Sequence, residues 1–359
     1  MKHYKTIDFY ITRKFLGTFF YSIALIISIA TVFDISENLD EFISKDIPTK
    51  DIVFQYYLNF IPYFANLFSP LFVFISVIYF TSKMAYNTEI IAILSSGVSY
   101  KRLMRPYLVS AAFIALFTWF LGNYVIPGAN RERIDFRNHY INNNNFQVER
   151  HIHRQIEPGV YVYMYTFSSS NIGTRFTMEK FEEQKLVEKI TADNISWNED
   201  SARWTINNYW RRRFVGDQEF ITHGYHIDTT LNMTPQDYKV ERDDMEALTT
   251  RQLVNEIRSM KLRGVNSTEF AIERHKRISN PFSAFILTII GVSLASRKIK
   301  GGLGLHLGLG LLLSFSYILF MQISVVFAAS GNTPPIVAVW IPNLLYALIA
   351  WYLYKWAAR

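Results

Sequence analysis

The sequence predicts an α-helical membrane protein whose six transmembrane helices are split three and three around an inserted antiparallel β domain. Three observations predict it. Long apolar runs occupy both ends of the 359-residue chain, a polar stretch at 127–280 separates them, and basic residues gather in alternate connections.

A span needs roughly 20 predominantly apolar residues to cross the hydrocarbon layer. Phe15–Phe33, Ile52–Phe80, Leu103–Ile126, Leu303–Ala329 and Ile336–Trp356 each satisfy this, and none has Asp, Glu, Lys or Arg in its core. The run Phe282–Ala295 is too short to qualify by length alone. Net charge +7 and mean hydropathy +0.08 decide little, because a soluble domain can also be half hydrophobic.

The distribution of charge decides more. Segments 1–14, 81–105, 296–302 and 355–359 hold 13 basic residues against two acids, Asp8 and Glu89. Segment 34–51 holds six acids and two lysines, and segment 127–280 is balanced. Basic residues concentrate on the cytoplasmic side of membrane proteins. Both termini are therefore expected inside, with 34–51, 127–280 and 329–335 outside. Unless Phe282–Ala295 crosses, Arg297, Lys298 and Lys300 face outward, so it reads as the fourth span, lengthened by the helix before it. The first apolar run is too long for a cleaved signal peptide and lacks a small-residue cleavage site. The basic excess is dispersed over four short segments, which argues against a nucleic-acid partner.

The four regions expected are 1–126 with three spans, 127–248 as the β domain, 249–280 as a helical connector and 281–359 with three further spans. Val160–Phe167 is rich in aromatic and β-branched residues. Further strand candidates surround Phe176–Phe181, Ile190–Trp197, Trp204–Tyr209, Trp210–Phe214 and Phe220–Ile227, with turn residues at Asn198-Glu199-Asp200 and Gly216-Asp217. This spacing predicts an antiparallel sandwich or jelly-roll-like sheet. Thr249 or Thr250 then caps a helix with Leu253, Ile257 and Met260 on one face, ended by Gly264. Asn266-Ser267-Thr268-Glu269 offers a second start. That helix is expected to run through Arg274 and Ile278 into the fourth span, with a kink at Pro281.

Chemistry-bearing motifs are few. No cysteine is present, so disulfides and thiolate chemistry are excluded. No G-x-x-x-x-G-K-[ST] loop and no H-E-x-x-H occurs, so no catalytic residues and no metal ligands are assigned. His151 and His153 read as exposed positions of a strand. Gln55, Asn59 and Asn66 lie near one face of the second span, where such residues either join helices or line a polar cavity. Gly304 and Gly308 form a small-xxx-small pair that permits close helix packing. The most specific local signal is Asn87-Thr88-Glu89-Ile90-Ile91-Ala92-Ile93-Leu94-Ser95-Ser96-Gly97-Val98-Ser99, between spans two and three. Asn87 can cap it, Glu89 suits the positive end of a short helix, and Gly97 can end it. Such an apolar helix should bury itself in the headgroup layer or in a partner's groove.

With these pieces the chain resembles the LptF/LptG (YjgP/YjgQ) permease family of lipopolysaccharide export. The resemblance rests on T-E-I-I-A-I-L-S-S-G-V-S at 88–99, E-R-H-K-R-I-S-N-P-F at 273–282, W-I-P-N-L-L-Y at 340–346 and the I-T-A-D-N-I-S-W and W-T-I-N-N stretches within 190–208. It implies a multi-pass protein of the Gram-negative inner membrane, a non-ATPase subunit that works with a second permease of the same type. ATP and Mg²⁺ would be bound by a dimeric cytosolic LptB-like ATPase, and no cofactor by this chain. Segment 88–99 would be the coupling helix, with Glu89, Ile90, Leu94, Ser96 and Gly97 facing the ATPase. The periplasmic β-jelly roll would accept acyl chains of lipopolysaccharide and pass the lipid to LptC/LptA-like bridge proteins. Phe19, Phe20 and Phe33 on the first span, and Phe315, Phe320 and Phe327 on the fifth, would wall the acyl-chain cavity.

The family's lysines at the outer end of the first span are replaced here by Asp34, Glu37, Asp40 and Glu41. Lys45, Lys50, Arg131, Arg133, Arg137, Lys276 and Arg277 remain as candidates for headgroup phosphates. The competing reading is a membrane-anchored scaffold or sensor whose β domain binds an envelope protein and needs no ATPase.

Overall fold

The computed structural model describes residues 6–141, 150–168, 170–199, 201–216, 218–238, 242–262, 267–296, 302–331 and 333–358. Arg297, Lys298 and Lys300, the turn acids Asp200 and Asp217, and the helix signals Gly264 and Asn266 lie outside the described residues. The chain divides into two compact units, one of Met1–Arg133, Glu246–Thr250 and Thr268–Arg359, the other of Ile134–Met245 and Arg251–Ser267.

The helices α1 (Thr6–Ser44), α2 (Thr49–Tyr86), the short α3 (Glu89–Ser95) and α4 (Tyr100–Ile141) precede the strands. At 1.5 Å per residue the 39 residues of α1 extend about 58 Å, well beyond a hydrocarbon layer of about 30 Å. The acidic segment after the first apolar run is therefore helical as far as Ser44, where a loop was expected. Asp34 faces inward there, accepting hydrogen bonds from the Tyr56 hydroxyl at 3.3 Å and the Tyr57 hydroxyl at 3.0 Å. Ile11, Phe15, Phe19 and Ile23, four residues apart, make the buried stripe of α1. That stripe packs on α2 and α4.

After the strands come α5 (Thr250–Leu262), α6 (Thr268–Ser279), α7 (Phe282–Ala295), α8 (Gly302–Ala329) and α9 (Pro335–Ala357). Among the described residues, five helices are long and apolar enough to cross a membrane. The pair α6 and α7, bent by 49°, supplies a sixth if counted as one span. The kink expected at Pro281 is thus present as a break at Asn280-Pro281. Proline removes a backbone donor and crowds the preceding turn. The break stays satisfied because Asn343 Nδ2 in α9 donates to the Ser279 carbonyl at 3.3 Å. Ser283 Oγ donates to the Asn280 carbonyl at 2.6 Å. Asn343 also accepts from the Tyr317 hydroxyl of α8 at 2.9 Å, so one amide ties three helices.

Small residues bring α7 and α8 against α2. A Cβ on Gly291 would meet Val77 Cγ1 at 2.9 Å, and one on Gly310 would meet Ile78 Cδ1 at 2.5 Å. Those on Gly304 and Gly308 would meet nothing within 4 Å. Among the described residues the small-xxx-small pair therefore makes no close approach; Gly291 and Gly310 do. Gln55 and Asn59, read as joining helices or lining a cavity, bond within their own helix, to Asp51 at 3.2 Å and to the Gln55 carbonyl at 2.8 Å.

In the second unit, β1 (Arg150–Glu157), β2 (Val160–Phe167), β3 (Ile172–Glu182), β4 (Lys185–Asn198), β5 (Arg203–Val215) and β6 (Gln218–Thr229) form one antiparallel sheet in chain order. The candidates Trp204–Tyr209 and Trp210–Phe214 merge into β5. Asn208, with φ 49°, marks the irregularity between them. Gly216, with φ 60°, makes the β5–β6 turn, a conformation that glycine adopts without strain. One face buries Ile152, Val162, Met164, Phe176, Ile195 and Trp204 together with Met233 and Tyr238. Trp204, fully buried, donates from Nε1 to the Met233 carbonyl at 2.9 Å. His151 and His153 flank Ile152 on the exposed face and pack against Tyr165 and Tyr163 with ring centroids at 5.0 and 4.7 Å.

Glu188 in β4 accepts from Arg211 and, at 3.4 Å, from Arg213 in β5. Burial alone raises the carboxyl, but the two guanidiniums outweigh it and hold Glu188 below its usual 4.5. A depressed carboxylate contributes stability that is present above its unfolded value and lost as pH falls through the folded one. Acid unfolding followed by the fluorescence of Trp197 and Trp204 should therefore be steeper below pH 4.5 in the native chain than in Glu188→Gln. Superimposable acid limbs would contradict this.

Candidate functional site

Residues 88–99 form a compact connection at the ends of α2 and α4. Thr88 takes the left-handed conformation, φ 62°, and starts α3 in place of the expected Asn87. Asn87 instead donates from Nδ2 to Glu89 Oε1 at 3.3 Å. Gly97, φ 89°, ends the turn, and its amide donates to the Leu94 carbonyl at 3.1 Å. Ser96 closes the same turn, its Oγ donating to the Ile93 carbonyl at 2.7 Å. Ser99 Oγ then caps α4 by accepting the Arg102 amide at 3.3 Å.

Burial divides the α3 residues. Ile90 is fully buried among Ile11, Phe15, Met84, Ala85 and Leu103, and Ile93 and Leu94 pack on that core. Ile91 is 48 % exposed, and Ala92, Ser95 and Ser96 are exposed beside it. Ile90, expected to face a partner, is thus the anchor that fastens the helix to its own bundle. Ile91, one position on, is the apolar residue offered outward. Periodicity did not separate the two, since both belong to one apolar run.

A second constellation surrounds Arg277. Its side chain is 4 % exposed and donates to Glu273 Oε1 at 2.9 Å, to the Leu248 carbonyl at 2.8 Å and to Thr250 Oγ1 at 3.5 Å. Thr250 Oγ1 in turn donates to Asn123 Oδ1 at 2.7 Å, and Asn130 Nδ2 donates to Glu246 at 3.2 Å. The segment Glu246–Thr250 is therefore strapped to α4 and α6 by side chains. Arg277 leaves the headgroup candidates on this geometry, because its donors are spent on internal acceptors.

Arg133 lies over the Tyr63 ring at 5.2 Å, is buried, and has an Nε with no hydrogen-bond partner among the described residues. Buried Asn130, one turn earlier, has an unpartnered Oδ1. Arg131 is exposed and Arg137 half-buried. Lys45 and Lys50 are exposed beyond α1, and Lys276 approaches Glu273 at 3.9 Å.

The family model "Lipopolysaccharide export system permease LptF/LptG" matches residues 9–356. This chain belongs to the LptF/LptG permease family. It is 19% identical to lipopolysaccharide export system permease protein LptG of Haemophilus influenzae over 352 residues, 97% of this chain and 98% of that protein. Membership and the apolar helices make it a multi-pass inner-membrane protein, a transmembrane component of the export system.

Of the aromatic residues that the LptF/LptG resemblance assigns to a cavity, Phe19 is buried in the bundle and Phe320 packs partly on it. Phe20 sits at the edge, its ring 5.7 Å from that of Phe117. Phe33, Phe315 and Phe327 are 71%, 53% and 54% exposed. Only the last three, with part of Phe20, present free apolar surface.

Removing one member of a buried ion pair costs about 3 kcal/mol. Arg277→Met should therefore lower the apparent melting temperature of the detergent-purified protein by several degrees. Arg277→Lys should not restore it, because a lysine lacks the planar fork that reaches both Glu273 and Leu248. An unchanged melting temperature in Arg277→Met would refute the strap.

Proposed function

We propose that this chain is a permease subunit of an ATP-driven lipopolysaccharide exporter, with three spans on each side of a periplasmic β domain and both termini in the cytoplasm. It draws the lipid from the inner membrane and passes it to an LptC/LptA-like bridge. Family membership supports this reading. The single observation that carries the coupling step is the division within α3, where Ile90 is sealed into the bundle and Ile91 is presented outward. A helix held on one face and bare on the other suits a partner that pushes on it.

Each acyl CH₂ buried in the bilayer contributes roughly 0.8 kcal/mol, so extracting a lipid with several chains costs on the order of tens of kcal/mol. ATP and Mg²⁺, bound by a dimeric LptB-like partner, supply that work. A second permease of the family completes the transmembrane core. Arg133, with its unpartnered Nε, and Arg131, Arg137, Lys45, Lys50 and Lys276 are the cations left to meet headgroup phosphates. The acyl chains pass along the exposed Phe33, Phe315 and Phe327 surfaces.

Glu89→Arg tests the coupling step. Loss of lipopolysaccharide release from proteoliposomes, with weaker co-purification of the ATPase, is expected. Intact assembly together with intact release would exclude Glu89 from that role.

A further inference from the structure

Three helix starts meet beside the coupling loop. Asp8 lies in the first turn of α1, Glu89 in the first turn of α3 and Arg102 in the first turn of α4. Asp8 Oδ1 and Oδ2 accept from Arg102 Nη1 and Nη2 at 2.7 and 2.5 Å, a two-pronged ion pair whose carboxylate is only 13% exposed. The Tyr10 hydroxyl donates to Glu89 Oε2 at 3.3 Å, and Lys14 Nζ sits 5.8 Å from the centre of the Tyr10 ring. Between these polar contacts, Ile11 and Phe15 share the core in which Ile90 is buried.

The loop is therefore fastened to α1 at both of its ends, through Glu89 at the start and Arg102 at the finish. A bidentate guanidinium–carboxylate pair fixes orientation as well as distance. Further along α1, Tyr21, Leu25, Ile29, Val32 and Phe33 are all exposed. The inner turns of α1 are thus locked to the loop, while one side of its outer half is uncovered.

We infer that Asp8, with Tyr10, is a positioning residue for energy coupling: it makes α1 and the loop move as one body, so that a push on α3 displaces α1. The inference rests on the exporter reading above. Glu89 gains a second role in it, as the acceptor for Tyr10 within the chain. A conservative Arg102→Lys is not neutral here, because an ammonium cannot form the fork.

The test uses the full chain, co-purified with its ATPase and partner permease and reconstituted with lipopolysaccharide. ATP hydrolysis and lipid release are read together. Asp8→Asn and Arg102→Lys are expected to keep the complex and its hydrolysis but lower lipid released per ATP several-fold. The exchange Asp8→Arg with Arg102→Asp is expected to recover most of it, which a purely structural loss would not do. Wild-type ratios in both single variants would overturn the inference.

Should the single variants fail to accumulate, the native chain's lack of cysteine permits a second measurement. Asp8→Cys with Arg102→Cys, joined by a short cross-linker, should still transport, since the two segments never part. Transport abolished by the cross-link, and restored when a cleavable linker is cut, would overturn it. Absence of any P-loop ATPase from the native complex would instead sink the exporter reading and leave the α1–loop lock standing.

Discussion

The carbonyl freed at the break between α6 and α7 is the constraint on which the transmembrane unit depends. In hydrocarbon a backbone group left without a partner is expensive, so a proline there needs another donor nearby. Asn343 supplies it for Ser279 and accepts from Tyr317 at the same time. Two of the stretches on which the resemblance rests, around 273–282 and 340–346, thus meet in one hydrogen-bonded contact. The bend then allows Arg277, one turn before it, to reach the backbone of Leu248. A local failure of helix geometry becomes the joint that fastens α6, α8, α9 and the strap at Glu246–Thr250.

The loop at 88–99 relies on a different device. Its apolar residues are divided by a single helical step, with Ile90 turned into the bundle and Ile91 turned out. Burying one side makes the helix stiff, and exposing the other makes it addressable. Polar contacts from Asp8 and Tyr10 fasten the loop to α1.

Much of the helical frame was legible in the residues, for a physical reason. A bilayer demands long apolar runs, and charge asymmetry marks the connections, so neither depends on tertiary detail. The bend at Pro281 was legible for the same reason, being local chemistry. What escaped was set by neighbours distant in sequence. Gly304 and Gly308 carry the expected spacing, yet Gly291 and Gly310 are the ones that meet side chains of α2. Arg277 reads as a surface cation, yet burial and four acceptors, the Glu246 carbonyl among them, make it a clamp. Asp34 reads as part of an acidic loop, yet two tyrosine hydroxyls, unconnected to it by any local pattern, draw it into the bundle. In the β unit the apolar strands were visible, but not the continuity of β5 through Asn208.

The central claim is that energy delivered at the loop moves lipid onto the β sheet. Val160 and Met178 pack on the apolar face of that sheet, whereas Tyr161 is exposed on the other. The most direct measurement places a photocrosslinking residue at Met178, with Tyr161 as the control, in the complex reconstituted with lipopolysaccharide. Lipid adducts at Met178 that appear only with ATP, and none at Tyr161, are the predicted result. Adducts with protein alone, or lipid adducts indifferent to ATP, would contradict the account.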